Sequence, residues 1–167
     1  MFRWGPRGGT YQSHLRTKVF HPVQILGKSA QPNAVNVDMT LESNIVNEIK
    51  FLQFNDEKAR NAISAEDWIN LQEEIESFEN SDLKYLVIKH INGNYSAGAQ
   101  LGETVSALMD DVSKAAVKMW NCKKPIISLV DGIAAGAGAN MMLLSDFIIA
   151  TPETRFIEVF VRRGLVV

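Results

Sequence analysis

The chain has 167 residues, of which 46% are hydrophobic and 22% are charged, a composition typical of one globular domain rather than of a disordered or fibrous chain. A formal net charge of −2 provides no basic excess for neutralising nucleic-acid phosphates. No apolar run reaches the roughly 18 residues of a membrane-spanning helix. A single cysteine, Cys122, excludes an internal disulfide, and no His/Cys cluster has metal-ligand spacing.

Residues 1–37 contain basic side chains and no acidic one, together with several Gly, Pro and Ser, which is not the composition of a folded core. We predict a basic tail over residues 1–40, either disordered or an organellar targeting segment, ahead of a folded domain over residues 41–167. The cysteine content favours a reducing compartment, so we expect a cytoplasmic location, with a mitochondrial one as the alternative.

Hydrophobic periodicity in the predicted folded domain, residues 41–167, indicates alternating strands and helices. The predicted strands are residues 44–54, 85–90, 126–130 and 146–150, and the predicted helices are residues 65–79, 103–121 and 139–144. Ser64 is the expected N-cap of the first helix. Trp68 and Trp120 lie on apolar faces of the first two helices and are expected in the core. The third helix lacks a polar face and is expected to be buried on all sides.

Two loops of small residues, at 96–101 and 132–138, each follow a predicted strand and precede a predicted helix. In an α/β fold such loops gather where ligands bind, and free backbone N–H groups at helix starts suit an anion or a developing oxyanion. Tight turns that allow close packing are the alternative for either loop taken alone. A dinucleotide site is disfavoured because the glycines do not follow the G-x-G-x-x-G pattern.

Five segments together resemble the crotonase superfamily, the enoyl-CoA hydratases and isomerases, in order and spacing. They are Asn61-Ala62, the run YSAGAQL at 95–101, the run from Lys124-Pro125 to Gly138, Ser145-Asp146 and residues 156–166. The resemblance implies an α/β fold with the crotonase-like spiral core of ββα units. The sequence shows no counterpart of the C-terminal helices that build the family's trimer, so we expect the domain to be incomplete.

The resemblance also implies an acyl-CoA thioester substrate, no separate cofactor, and a homotrimer or hexamer. The N–H groups of Ala99 and Ala137 would form the oxyanion hole for the thioester enolate. The other residues implied in substrate binding are Ser96, Ala97, Gly98, Gln100, Leu101, Gly136, Asn140 and Phe160.

Asn140 and Phe160 occupy the positions of the two glutamates that the family's hydratases use, and neither is an acid or a base. The expected chemistry is therefore double-bond or ring isomerisation in fatty-acid or aromatic-acid CoA metabolism rather than hydration. A catalytically silent acyl-CoA-binding or assembly subunit is the alternative.

Glu158 is the candidate base within the sequence, because burial in the apolar stretch FIEVFV would raise its pKa; a residue beyond Val167 is the other candidate. A hydrolytic triad assembled from His90, Ser96 or Ser128, and Asp131 is disfavoured because the G-x-S-x-G elbow is missing. His90 is expected to be partly exposed, without a special role.

Overall fold

A computed structural model describes residues 40–90, 93–100 and 105–164, except for the side chains at 105–107 and 163. All of these residues belong to one compact unit. The predicted basic tail lies almost wholly outside the described residues, as does Leu101. The boundary at residue 40 therefore stays a prediction.

The domain alternates strands and helices. In chain order the elements are β1 (Leu41–Val46), β2 (Ile49–Phe54), β3 (Ala62–Ile63), α1 (Ala65–Glu79), β4 (Tyr85–His90), β5 (Gly98–Ala99), α2 (Val105–Asn121), β6 (Ile126–Val130), β7 (Ile133–Ala135), α3 (Ala137–Leu143), β8 (Phe147–Ala150), β9 (Arg155–Ile157) and a 3₁₀ turn (Val161–Arg163). β1, β2, β4, β6 and β8 form one sheet in that order, parallel except for β1. Two short parallel pairs, β3 with β5 and β7 with β9, lie outside it.

The predicted single strand over residues 44–54 is wrong, because the chain reverses direction inside it. Asn47 has a φ of +55°, a left-handed conformation that asparagine tolerates better than most residues. β1 consequently pairs antiparallel with β2, with Val46 opposite Ile49. The turn signal of Asn47-Glu48 was hidden within an apolar run, so the periodicity predicted one strand instead of a hairpin.

Most of the other predicted elements are confirmed. α1, β4 and β6 have the predicted bounds, β8 begins one residue later than expected, and α2 is described from Val105. The Ser64 hydroxyl accepts the Asp67 backbone N–H at 3.1 Å, as an N-cap does. The Asp67 carboxylate in turn accepts the hydroxyls of Ser64 and Thr40, at 2.8 and 2.5 Å.

The core lies between the sheet and the helices. Alternate residues of β2, including Leu52 and Phe54, are buried, and Leu71, Ile75 and Phe78 of α1 are fully buried. Trp68 is buried as predicted.

Two burial predictions for the helices fail, at Trp120 and at Leu143. Trp120 is 76% exposed, because it lies on the side of α2 away from the core. α3 is buried only in part, since Met141 and Met142 face the core while Leu143 is 56% exposed. A hydrophobic side chain on a helix therefore did not guarantee contact with the core.

β8 lies at one edge of the sheet with all four residues exposed. Phe147 and Ile149 are 62% and 61% exposed, next to Ile127 and Leu129 of β6 on the same face. An apolar strand with a free edge is a ready template for further pairing or packing. Within the described residues, no helix is both long enough and apolar enough to cross a membrane.

Candidate functional site

The two small-residue loops that the sequence singled out lie against each other. The Ser96 N–H donates to the Ile133 carbonyl and the Ala135 N–H donates to the Ser96 carbonyl, both at 2.9 Å. A Cβ built on Gly98 would lie 2.8 Å from the Ala135 oxygen and 3.4 Å from the Ala137 nitrogen. The backbone immediately before Ala99 therefore touches the backbone that leads into α3.

The Ala99 N–H is directed away from β3. Ile63 and Ala99 are register partners, and the Gln100 N–H donates to the Ile63 carbonyl at 2.8 Å. N–H groups of neighbouring residues in a strand point to opposite sides, so the Ala99 N–H points out of the β3–β5 pair. Ala99 itself is half-buried.

Ala137 is the first residue of α3, which begins two residues earlier than predicted. Gly136 precedes it as the N-cap and provides no side-chain cap, while the Gly136 carbonyl accepts the Asn140 N–H at 3.0 Å. The Ala137 N–H thus has no acceptor within the helix. The Gly-Ala alternation at 136–139 carries no capping side chain, so the sequence did not indicate where the helix starts.

Gly138 is the point of closest contact between the loops. A Cβ at this position would lie 2.5 Å from the Ser96 Cβ and 2.7 Å from its hydroxyl oxygen, distances that real side chains do not adopt. Only glycine lets α3 approach the 96–99 segment this closely.

Ser96 has no exposed side-chain surface, and its predicted part in substrate binding stays a prediction. The residue is fully buried. Its hydroxyl donates to the Asn61 carbonyl at 2.7 Å and accepts the Gly98 N–H at 3.1 Å. Ser96 therefore supports the loop from within.

The other predicted binding residues fall into two groups. Ala97 and Gln100 are exposed and Asn140 and Phe160 are half-buried, so these four have surface that a ligand can contact. Gly98 and Gly136 are buried and contribute backbone only. Asn140 follows Ala137 by three residues in α3 and so lies on the same face of that helix.

Glu158 is exposed, which contradicts the burial predicted from its apolar neighbours. Its main chain nevertheless lies beside the second loop: the Ile157 carbonyl accepts the Gly136 N–H at 3.1 Å, and a Val159 methyl is 3.2 Å from the Cβ position of Gly136. The Val159 side chain and the Ile157 carbonyl therefore face the loop, while the Glu158 residue is exposed.

His90 is half-buried, in line with the partial exposure that was predicted, but its ring nitrogens do not reach solvent. Its ring stacks on Phe54 at 5.0 Å between centroids and is tilted against Tyr95 at 4.2 Å. Both ring nitrogens are buried and have no hydrogen-bond partner among the described residues. Desolvation lowers the His90 pKa from 6.5 to about 3. No sequence pattern indicated buried ring nitrogens, because a histidine at the end of a strand usually reaches solvent.

These contacts leave no hydrolytic triad among the described residues. The Ser128 hydroxyl is bonded to Tyr95 and Ser145, both at 2.7 Å, and Asp131 accepts the Gly132 N–H and the Thr151 hydroxyl. No group of three or more His, Cys, Asp or Glu in the described ranges is placed to hold a metal ion.

Comparison with known proteins identifies a matching family and several relatives. The family model for enoyl-CoA hydratase/isomerase matches residues 44–167. The trans-2-decenoyl-[acyl-carrier-protein] isomerase of Streptococcus mutans is 28% identical over 134 residues, covering 73% of this chain and 51% of that protein. The 1,2-epoxyphenylacetyl-CoA isomerase of Escherichia coli is 44% identical over 43 residues, which cover 26% of this chain and 16% of that protein.

Solved structures agree with the fold. Human enoyl-CoA hydratase domain-containing protein 3 superimposes with a TM-score of 0.70 at 24% identity, covering 76% of this chain and 54% of that one. The chain thus spans about half the length of the relatives that match most of it. With its two loops joined as described and a family match over nearly all of the folded region, this chain belongs to the enoyl-CoA hydratase/isomerase family and has the crotonase fold.

Proposed function

We propose that the chain binds an acyl-CoA thioester and stabilises its enolate between the N–H groups of Ala99 and Ala137, in a double-bond or ring isomerisation. The contact of Gly98 with the Ala137 nitrogen, at 3.4 Å from the glycine's Cβ position, carries this proposal. Two fixed N–H groups suit the negative charge that develops on a thioester oxygen, and this kind of stabilisation is usually the largest catalytic effect.

Isomerisation fits the side chains near the loops better than hydration does. Hydration needs one group to activate water and another to return a proton, and the family's two glutamate positions hold Asn140 and Phe160 here. An isomerase needs one group that removes a proton and returns it elsewhere on the substrate. Two of the three relatives reported above are named as isomerases, which supports the same choice, and the human protein is named for a hydratase domain.

Replacing Ala137 with proline tests the oxyanion hole directly. Proline is well tolerated at the first position of a helix, so this change removes the N–H and leaves α3 able to form. We expect the affinity for acetoacetyl-CoA, whose enolate resembles the intermediate, to fall by roughly 100-fold, while the affinity for free CoA is unchanged. Isothermal titration calorimetry measures both.

Ala65→Pro is the matched control, because Ala65 is the exposed first residue of α1 and its N–H faces no proposed site. It should bind both ligands like the wild type. Equal acetoacetyl-CoA affinities for the wild type and a folded Ala137→Pro variant would contradict the proposed oxyanion hole.

We propose Glu158 as the base within this chain, because its main chain adjoins the second loop and its exposed carboxylate is free to reach a ligand. Glu158→Gln should slow the exchange of the acyl α-proton with deuterated water by roughly 100-fold or more and leave acetoacetyl-CoA affinity unchanged. NMR of an unsaturated acyl-CoA follows this exchange whatever the product is.

Glu153→Gln, at another exposed acid nearby in the chain, is the control for that experiment. Undiminished exchange in Glu158→Gln would remove Glu158 from the mechanism and point to a base outside this sequence. Binding without any exchange by the wild type would favour the alternative, a catalytically silent acyl-CoA-binding or assembly subunit.

An acyl carrier protein thioester is the second candidate substrate, favoured by the name of the Streptococcus mutans relative. Both carriers present the acyl group on phosphopantetheine, and only CoA adds the adenine nucleotide. If acetoacetyl-pantetheine binds as tightly as acetoacetyl-CoA, the nucleotide contributes nothing and the carrier-protein thioester becomes the preferred substrate.

Assembly with further copies, as trimer or hexamer, belongs to the same proposal. The exposed apolar residues Phe147 and Ile149 on β8 support association of some kind. Light scattering of the purified chain measures the state, and a monomer at all concentrations would contradict the assembly.

We propose a cytoplasmic location, which the single cysteine favours. A mitochondrial location is the alternative, and fusion of residues 1–40 to a fluorescent protein distinguishes the two. Import of the fusion into mitochondria would contradict the cytoplasmic assignment.

A further inference from the structure

The Ser96 side chain lies at the junction of three segments of the chain. Its hydroxyl donates to the Asn61 carbonyl, 2.7 Å away, and accepts the Gly98 N–H, 3.1 Å away. Its carbonyl accepts the Ala135 N–H of the second loop. One buried residue thus connects the 56–61 loop, the 96–99 segment and the strand that leads to Ala137.

Asn61 holds its carbonyl in a fixed place for this contact. Its side-chain oxygen accepts the Asp56 N–H at 2.8 Å, and its side-chain nitrogen donates to the Asn94 carbonyl at 2.7 Å. The residue is 2% exposed and has a φ of +53°, in the left-handed region. Asn61 therefore ties the 56–61 loop to the residue two positions before Ser96.

Ser96 is also packed closely against α3. Gly138 of α3 lies so close that an added Cβ would be 2.5 Å from the Ser96 Cβ. The two hydroxyl bonds and the nearby α3 backbone together restrict the Ser96 side chain. The Gly98 N–H that it accepts belongs to the residue directly before Ala99.

We propose that Ser96 and Asn61 are positioning residues, which fix the Ala99 N–H relative to the Ala137 N–H through the chain of hydrogen bonds from Asn61 to Ser96 to Gly98. This inference rests on the proposed function, since it assigns these residues a task in the oxyanion hole formed by those N–H groups. Small displacements of such donors are costly, because a misplacement of about 1 Å can reduce catalysis about 100-fold.

Ser96→Ala removes only the hydroxyl oxygen and tests the proposal. Acetoacetyl-CoA affinity should fall by about tenfold or more, because the Ala99 N–H is displaced from the enolate oxygen. Free-CoA affinity should be unchanged, because free CoA has no thioester oxygen to contact that N–H. Ser128→Ala is the matched control: it removes an equally buried hydroxyl, bonded to Tyr95 and Ser145 instead of the loop. It should lose stability without changing the ratio of the two affinities.

Asn61→Gly provides a second test if Ser96→Ala does not fold. Glycine keeps the left-handed backbone and the carbonyl, and removes only the side chain that holds them. It should reduce the acetoacetyl-CoA affinity selectively, whereas Asn47→Gly, an exposed asparagine at nearly the same φ of +55°, should not.

The outcomes separate this inference from the function on which it rests. Weak acetoacetyl-CoA binding by the wild type, no tighter than free CoA, overturns the proposed oxyanion hole and the positioning role together. A second outcome is that the wild type and folded Ser96→Ala and Asn61→Gly all bind acetoacetyl-CoA tightly, while Ala137→Pro does not. In that case the oxyanion hole stands and the positioning role is wrong. A parallel loss of both ligands in Ser96→Ala also overturns it, since that indicates general disruption.

Discussion

Gly98→Ala is expected to destabilise the protein by roughly 3 kcal/mol and to reduce acetoacetyl-CoA affinity by about 100-fold. Gly98 has a φ of +102°, which an L side chain rarely adopts, and its Cβ position is 2.8 Å from the Ala135 carbonyl oxygen. Neither atom belongs to a flexible side chain, so the two loops must separate. That separation moves Ala99 away from Ala137. Urea unfolding and calorimetric titration measure the two losses.

Gly93→Ala separates the cost of a positive φ from the cost of the close contact between the loops. Gly93 also has a positive φ, +69°, but no atom lies within 4 Å of its Cβ position. Alanine there incurs only the conformational cost, about 1 kcal/mol, and should leave thioester binding unchanged. If the two variants lose equal stability, the contact between the loops carries no strain and the close approach inferred at Gly98 is wrong.

The sequence predicted β4 and β6 well because each is a short, largely apolar run. Such runs, at Tyr85–His90 and Ile126–Val130, are typical of the inner strands of a parallel sheet and differ clearly from the polar segments around them. The short pairs β3–β5 and β7–β9 were not predicted. Strands of two or three residues are too short to show periodicity, and they form because neighbouring segments hold them in register.

The sequence predicted the two backbone loops of the candidate site but not the residues that hold these loops together. The small residues around Ala99 and Ala137 marked both loops. Their contact depends on Gly98 and Gly138 fitting against Ala135 and Ser96, respectively, which is a property of the folded chain. Asn61 was noticed only for its resemblance to a motif, because nothing local indicates that an asparagine after a polar stretch will be buried with both ends of its amide bonded.

Burial was the least predictable property of single side chains. Glu158 has apolar neighbours and is exposed, Trp120 lies on an amphipathic helix and is exposed, and His90 ends a strand with both ring nitrogens buried. In each case the deciding fact is which layer of the fold covers that position. A periodic pattern identifies the face of an element and does not show whether a neighbour covers it.

The burial of His90 predicts an acid-sensitive fold. Its pKa is 6.5 when unfolded and about 3 in the folded protein, because burial between Phe54 and Tyr95 opposes the charged form. Below pH 6.5 His90 is protonated in the unfolded chain but stays neutral in the folded protein. The free energy of unfolding therefore falls as the pH falls from 6.5 towards 3. The loss should be about 2 kcal/mol at pH 5 and about 4 kcal/mol at pH 3.

His90→Phe should abolish this part of the pH dependence. A phenyl ring can keep the stacking on Phe54 and Tyr95, and it removes two buried nitrogens that lack partners, so at pH 7.5 the variant should be as stable as the wild type or slightly more stable. Urea unfolding between pH 7.5 and pH 5 measures how the free energy of unfolding depends on pH in each protein. The contributions of the carboxylates and of the two other histidines are the same in both proteins and cancel in the difference. Parallel stability curves for the two proteins would contradict the prediction, because a histidine that keeps its ordinary pKa in the folded state contributes no slope.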